Sequence, residues 1–166
     1  MAQILIDLLL TNGTVITMNP AGDIYPHGAV AVRRDSIVEV GPANVLASKY
    51  RPAKTIDCAG GVISPGLVNA HTHVPMTLLR GLSDDLRLDV WLYGFMMPVE
   101  REFVTPEFSY TGTLLACAEM IRSGITTFCD MYYFEDQVAE AAARASKFPP
   151  PMPQVTTTAS TTAATS

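Results

Sequence analysis

Pro65-Gly66-Leu67-Val68-Asn69-Ala70-His71-Thr72-His73 is an apolar run that closes on two histidines one residue apart. The chain has three histidines, so this short stretch holds most of its imidazole chemistry. On a β-strand successive side chains alternate faces, and residues i and i+2 stand about 7 Å apart on the same one. His71 and His73 are therefore predicted to project together, within reach of one metal ion at bond lengths of about 2.0–2.1 Å. Val68, Ala70 and Thr72 fall to the opposite face and are small enough to pack beneath a helix. Taken alone, a His-x-His pair reads equally well as half of a metal site or as two polar residues closing a strand.

The segment preceding it, residues 4–63, is strand-rich. Asn12-Gly13 between Leu8-Leu9-Leu10 and Val15-Ile16-Thr17-Met18 is a strong hairpin signal, because a type I′ turn needs positive φ at both central positions. Turn residues follow at 19–23, and Pro26-His27-Gly28 reads as a further turn that leaves His27 exposed rather than a third ligand. Ala29–Val32 and Ser36–Val40 form a second strand pair through Arg33-Arg34-Asp35. Asn44 is predicted to cap a short helix over Val45–Tyr50, and Lys54–Cys58 gives another strand before Ala59-Gly60-Gly61. Short strands at this spacing indicate a small β-sandwich or comparable two-layer sheet over residues 1–61.

After Gly61 the pattern changes. Val62-Ile63 and Gly66–Ala70 read as one continuous apolar strand of the kind buried on both faces in a parallel sheet. A helical segment contains Val90-Trp91-Leu92, and Trp91 either packs there or lines a pocket. The clearest helix spans about 106–123: Thr105 is a good N-cap, Pro106 suits the first position, Glu107 the first turn, and Gly124 the C-terminal turn. Tyr110, Leu114, Cys117 and Ile121 make its predicted buried stripe. Ile125–Cys129 is a β-branched strand ending at Asp130, whose carboxylate reads as structural, and a helix over about 135–146 places Val138, Ala142 and Ala145 on one side. This βαβα order joins parallel strands through a right-handed crossover, so residues 62–147 form the first two units of an α/β sheet or barrel. Pro149-Pro150-Pro151 and the Thr/Ala/Ser tract that follows make residues 148–166 a disordered tail, with an onset abrupt enough to suggest a changed reading frame.

The bulk properties narrow the function. With 166 residues, 48% of them hydrophobic, and a net charge of −5 without basic clusters, nucleic acid and anionic membrane are excluded as main partners. No apolar run approaches the roughly 18 residues of a bilayer span, and residues 1–7 carry no basic signal region. Cys58, Cys117 and Cys129 lack a C-x-x-C pair and read as free thiols of the cytoplasm, Cys58 and Cys117 as core residues.

Asp7–Val15, Ile37–Gly41, Gly124-Ile125-Thr126-Thr127 and above all the block from Pro65 to Gly81 resemble the amidohydrolase superfamily, in its heterocycle deaminase and chlorohydrolase branch. The resemblance covers about residues 4–147. It implies an α/β fold: a small β-sandwich followed by a partial (β/α)8 barrel, here its first two βα units. It also implies that His71 and His73 are ligands to a catalytic divalent metal, zinc or iron, that activates water for hydrolytic deamination of a small heterocycle. Trp91 falls in the substrate-facing loop, where adenosine-type members carry a glutamate just before the tryptophan; Val90 stands there instead, with Asp89 one position earlier. Other His-x-His families fit less well, since Val74-Pro75 replaces the Asp-His of metallo-β-lactamase sites and Asn69 the aspartate of hydantoinase types. The remaining metal ligands of the family come from later barrel strands that this sequence does not contain. The resemblance therefore implies either the N-terminal part of an enzyme, open to homo-oligomer formation at full length, or a truncated and inactive product.

Overall fold

The computed structural model describes residues 3–147 and the backbone of Thr156–Thr157. Contacts divide the chain between Pro65 and Gly66 into two compact units.

The first unit is built on one sheet, in which β1 (Ile4–Ile16) pairs antiparallel with β2 (Ile24–Arg33), and β2 with β3 (Ser36–Pro42). On its other edge β1 pairs in parallel with β4 (Tyr50–Asp57) and then with β5 (Val62–Ile63). The expected hairpin at Asn12-Gly13 does not form. Asn12 takes φ 56° inside β1, and the register slips by one residue between Leu10 and Gly13. The pair is a bulge, which the same left-handed preference allows, and Asn12 Nδ2 there donates to Asp57 Oδ1 at 2.7 Å. Pro26-His27 is likewise not a turn but the opposing irregularity in β2, where a missing proline N–H breaks no ladder bond. His27 is exposed, as expected.

α1 (Ala43–Lys49) covers the sheet, and its Leu46 is fully buried among Ile6, Leu9, Ala29 and Ala31. Pro42, not Asn44, occupies its N-cap. Among the described residues of this unit there is one sheet under one helix rather than a sandwich of two sheets. The alternating apolar pattern needs only one cover, and a short helix supplies it.

The second unit begins where the strand expected to run unbroken from Val62 is interrupted at Ser64-Pro65-Gly66, since Pro65 has no N–H to continue a ladder. β6 (Leu67–Thr72) follows and pairs in parallel with β7 (Ile125–Asp130), as the βαβ reading requires. Thr156–Thr157 form β8, a short parallel partner of β7. At these two β-branched residues the tail expected to be disordered has a strand; the rest of residues 148–166 lies outside the described residues.

Between β6 and β7 come a 3-10 turn (Val74–Leu79), a π-helical stretch (Val90–Met96), α2 (Met97–Phe103) and α3 (Pro106–Arg122). The wide π turns precede Pro98, whose ring would clash with the carbonyl four residues back in a regular helix. Thr105 Oγ1 caps α3 by accepting from the Phe108 N–H at 3.1 Å, and Gly124 takes φ 76° past its end. α4 (Glu135–Ala145) packs on α3 through Val138, Ala142 and Ala145.

The buried face of α3 is not the predicted one. Ser109, Gly112, Thr113, Ala116, Cys117 and Met120 are buried, whereas only Cys117 of the four predicted residues is. Small residues win because the 3-10 turn approaches closely: a Cβ on Gly112 would lie 2.6 Å from the Pro75 carbonyl oxygen and 2.9 Å from Pro75 Cα. Gly112→Ala should therefore destabilise the chain by about 1–3 kcal/mol in a denaturant titration, although alanine is the better helix former.

Burial also separates the thiols. Cys117 is buried and its pKa is pushed up to about 11 by desolvation, while Cys58, expected in the core, and Cys129 are half-buried. At pH 8 an aromatic disulfide reagent should modify Cys58 and Cys129 and reach Cys117 only after denaturant is added.

Candidate metal centre

His71 and His73 lie at the carboxyl end of β6, and the ladder there is irregular. Asn69 pairs with Phe128 and Thr72 with Asp130, so Ala70 and His71 together face the single residue Cys129. Such a bulge re-aims a side chain that strict alternation would place elsewhere. The Asn69 side chain supports it, its Oδ1 accepting from the His71 N–H at 3.4 Å. The two imidazoles meet edge to face with ring centroids 5.4 Å apart. His71 is exposed and His73 half-buried.

The orientation of His73 is set from the loop after β7. Its Nδ1 donates to the Met131 carbonyl oxygen at 2.6 Å; a carbonyl only accepts, so Nδ1 carries a proton, and in the neutral ring Nε2 bears the lone pair. Among the described residues no hydrogen bond occupies Nε2 of His73 or either ring nitrogen of His71. Histidine ligands are commonly fixed in this way, through the nitrogen that does not touch the metal.

Asp130 ends β7 and is 1% exposed. Its Oδ1 accepts the Val74 N–H at 2.8 Å, while Oδ2 is buried without a partner. Burial pushes the carboxyl up to about 6, against the pull of the Val74 hydrogen bond. The Val74 bond is a contact of the structural kind expected of it. Sequence reasoning missed three residues around it: Glu135, which accepts the Tyr132 N–H at 2.6 Å; Tyr132, whose hydroxyl donates to Glu100 Oε1 at 2.9 Å; and Glu100 itself. The one signal available was the acidic start of α4 directly after an aromatic loop.

Two imidazoles with free nitrogens suit a divalent metal of the zinc type, which takes three or four protein ligands. Among the described residues no cluster of three or more His, Cys, Asp or Glu side chains stands ready to hold one. Trp91 is half-buried in the π-helical stretch, and Asp89 beside it is taken by Arg87 at 2.8 and 3.2 Å. A cleft of about 260 Å³ opens elsewhere, between β6, the 3-10 turn and α3, and neither histidine lines it. Its wall includes the paired ion bridge from Arg80 to Glu119, at 2.7 and 3.2 Å, which holds the Glu119 carboxyl below its usual range. No helix among the described residues is long and apolar enough to cross a membrane.

The parallel sheet of the second unit thus carries a pair of histidines at the carboxyl end of β6, and the comparisons specify its family. Residues 62–160 match the Amidohydrolase family, and the chain belongs to it. It is 56% identical over 136 residues to a 5-methylthioadenosine/S-adenosylhomocysteine deaminase of Syntrophobacter fumaroxidans, covering 82% of this chain and 31% of that protein. It is 47% identical to a 5′-deoxyadenosine deaminase of Methanosarcina mazei, over 81% of this chain and 30% of the relative. In structure it is similar to an adenosine deaminase from Xanthomonas campestris with bound zinc, with TM-score 0.81, 42% identity, and coverage of 86% of this chain and 33% of that one. The chain thus spans about a third of the length of the relatives it matches.

The Asp130 hydrogen bond can be isolated. Asp130→Ala should cost about 1–3 kcal/mol in a thermal or denaturant melt, because the Val74 N–H loses its acceptor in a buried place. Asp130→Asn retains an acceptor and should recover most of that loss.

Proposed function

We propose that the chain is the N-terminal part of a metal-dependent amidohydrolase acting on carbon–nitrogen bonds other than peptide bonds. The reaction is hydrolytic deamination of a heterocycle: water adds its oxygen to the ring carbon, the C–N bond breaks, and ammonia leaves. One observation carries this reading, the pair of imidazoles 5.4 Å apart at the end of β6, one of them oriented through Nδ1 with Nε2 free. His71 and His73 would supply two ligands to a divalent metal, zinc in the first place and iron as the alternative. When bound, such a metal makes water acidic enough to serve as a nucleophile near neutral pH. The names of the relatives and the zinc of the structural neighbour support that choice, and they favour an adenine nucleoside as the substrate.

In this reading residues 1–61 belong to a small β domain and residues 62–147 are the first two βα units of a (β/α)8 barrel. Trp91, in the segment after the first barrel strand, lines the substrate side. The enzyme works on small heterocycles in the cytoplasm.

A second reading concerns these 166 residues by themselves: they are catalytically inactive. It is favoured by the finding that the described residues assemble no cluster of three metal-binding side chains. Both readings meet one experiment. Residues 1–147 are grafted in place of the matching third of the S. fumaroxidans relative, and ammonia release from 5′-methylthioadenosine is followed with and without zinc. The graft should be active, its His71→Ala and His73→Ala forms should fall to background, and the 166-residue chain should release no ammonia. A graft that stays fully active without His73 would remove the histidine from the mechanism.

A further inference from the structure

The peptide between Met131 and Tyr132 is held at both ends. Its carbonyl oxygen accepts from His73 Nδ1 at 2.6 Å, and its N–H donates to Glu135 Oε1, also at 2.6 Å. A trans peptide is planar and directs these two groups to opposite sides, so a carboxylate and an imidazole are connected through one rigid, polarisable unit. The carboxylate draws the N–H and leaves the carbonyl oxygen richer in charge, and hydrogen bonds in such a chain strengthen one another. A second clamp keeps the peptide from turning. The Tyr132 ring is half-buried and its hydroxyl donates to Glu100 on α2. Burial and then that bond push the Tyr132 phenol upward, so it remains a donor. Phe134, just before Glu135, takes φ 58°, a backbone conformation that starts α4 where Glu135 can reach back to the loop. The other Glu135 oxygen, Oε2, is buried and unpaired among the described residues.

We propose that Glu135 is a positioning residue that acts on His73 through the Met131–Tyr132 peptide, fixing the Nδ1-protonated tautomer and presenting Nε2 to the metal. Carboxylates usually do this by direct contact with a ligand histidine; here a backbone peptide stands between. The use of Nε2 rests on reading His73 as a metal ligand, whereas the tautomer itself does not.

The test uses the metal-free 166-residue chain at about pH 8, above the ordinary histidine pKa of about 6.5, with the imidazole nitrogens read by long-range ¹⁵N–¹H correlation. In the parent chain His73 should show a protonated Nδ1 and an unprotonated Nε2. Glu135→Ala should move the equilibrium toward the other tautomer and, in the graft of residues 1–147 described above, weaken zinc binding, measured by chelator competition, about 10–100-fold. Glu135→Gln keeps an acceptor for the N–H and should restore the parent tautomer. Tyr132→Phe leaves α4 untouched, loosens the other clamp, and should shift the tautomer in the same direction, so the test survives if Glu135→Ala unfolds.

Asp136→Ala removes a charge from the same first turn without touching the peptide, and should leave His73 as it was. An Asp136→Ala effect equal to that of Glu135→Ala would reduce Glu135 to a helix-stabilising residue and overturn the proposal. An unmoved tautomer in both Glu135→Ala and Tyr132→Phe would overturn it as well. His73→Ala without any loss of zinc binding would instead defeat the ligand reading and leave the tautomer result standing.

Discussion

The hydrogen bond from the Val74 N–H to Asp130 Oδ1 is the constraint on which the second unit turns. It joins the residue after His73 to the last residue of β7 in a place closed to water, at 2.8 Å. The chain leaves β6 at that point and enters the 3-10 turn, whose Pro75 seats under Gly112 of α3. Val74 itself belongs to the core formed by α3, β7 and α4. One buried carboxylate thus connects the candidate ligands to the packing of both helices. Desolvation disfavours its charge and the Val74 N–H favours it; burial is the larger effect and leaves the carboxyl near 6. The acceptor is retained in either state, because a protonated carboxyl still offers an unprotonated oxygen.

Much of this architecture was legible in the sequence where local chemistry and global position agree. Thr105, Pro106 and Gly124 bound α3 as their capping roles require, and the parallel pairing of β6 with β7 follows from the helix between them. His71 and His73 come together as the sequence pattern suggests, but through a bulge at Ala70-His71 rather than through strict alternation. Misreadings arose where a tertiary contact outweighs a local signal. Asn12-Gly13 carries the chemistry of a hairpin turn, yet β4 and β5 run alongside β1 on both sides of it, and the strand stays extended through a bulge. The stripe of large side chains on α3 yields its centre to a stripe of small ones that allows close backbone approach to Pro75, and Leu114 packs only at the margin of the core. The peptide linking Glu135 to His73 was not legible at all: its contacts span 58 residues on one side and 3 on the other, and no periodicity records them.

β6 shows how far the local structure carries the site. Leu67 and Val68 are 60% and 64% exposed, and among the described residues the edge of β6 away from β7 has no strand partner. The sequence pattern of a strand buried on both faces is therefore unmet at this end, and an open apolar edge is a surface on which strands associate. The histidines are less affected than the strand that bears them. The hydrogen bonds that orient His73 come from the β7 side: the Met131 carbonyl on Nδ1, and Asp130 on the residue that follows. Those contacts lie within one βαβ unit and need no further strand. The arrangement of the two imidazoles is in this sense organised by β6, β7 and the loop that follows β7.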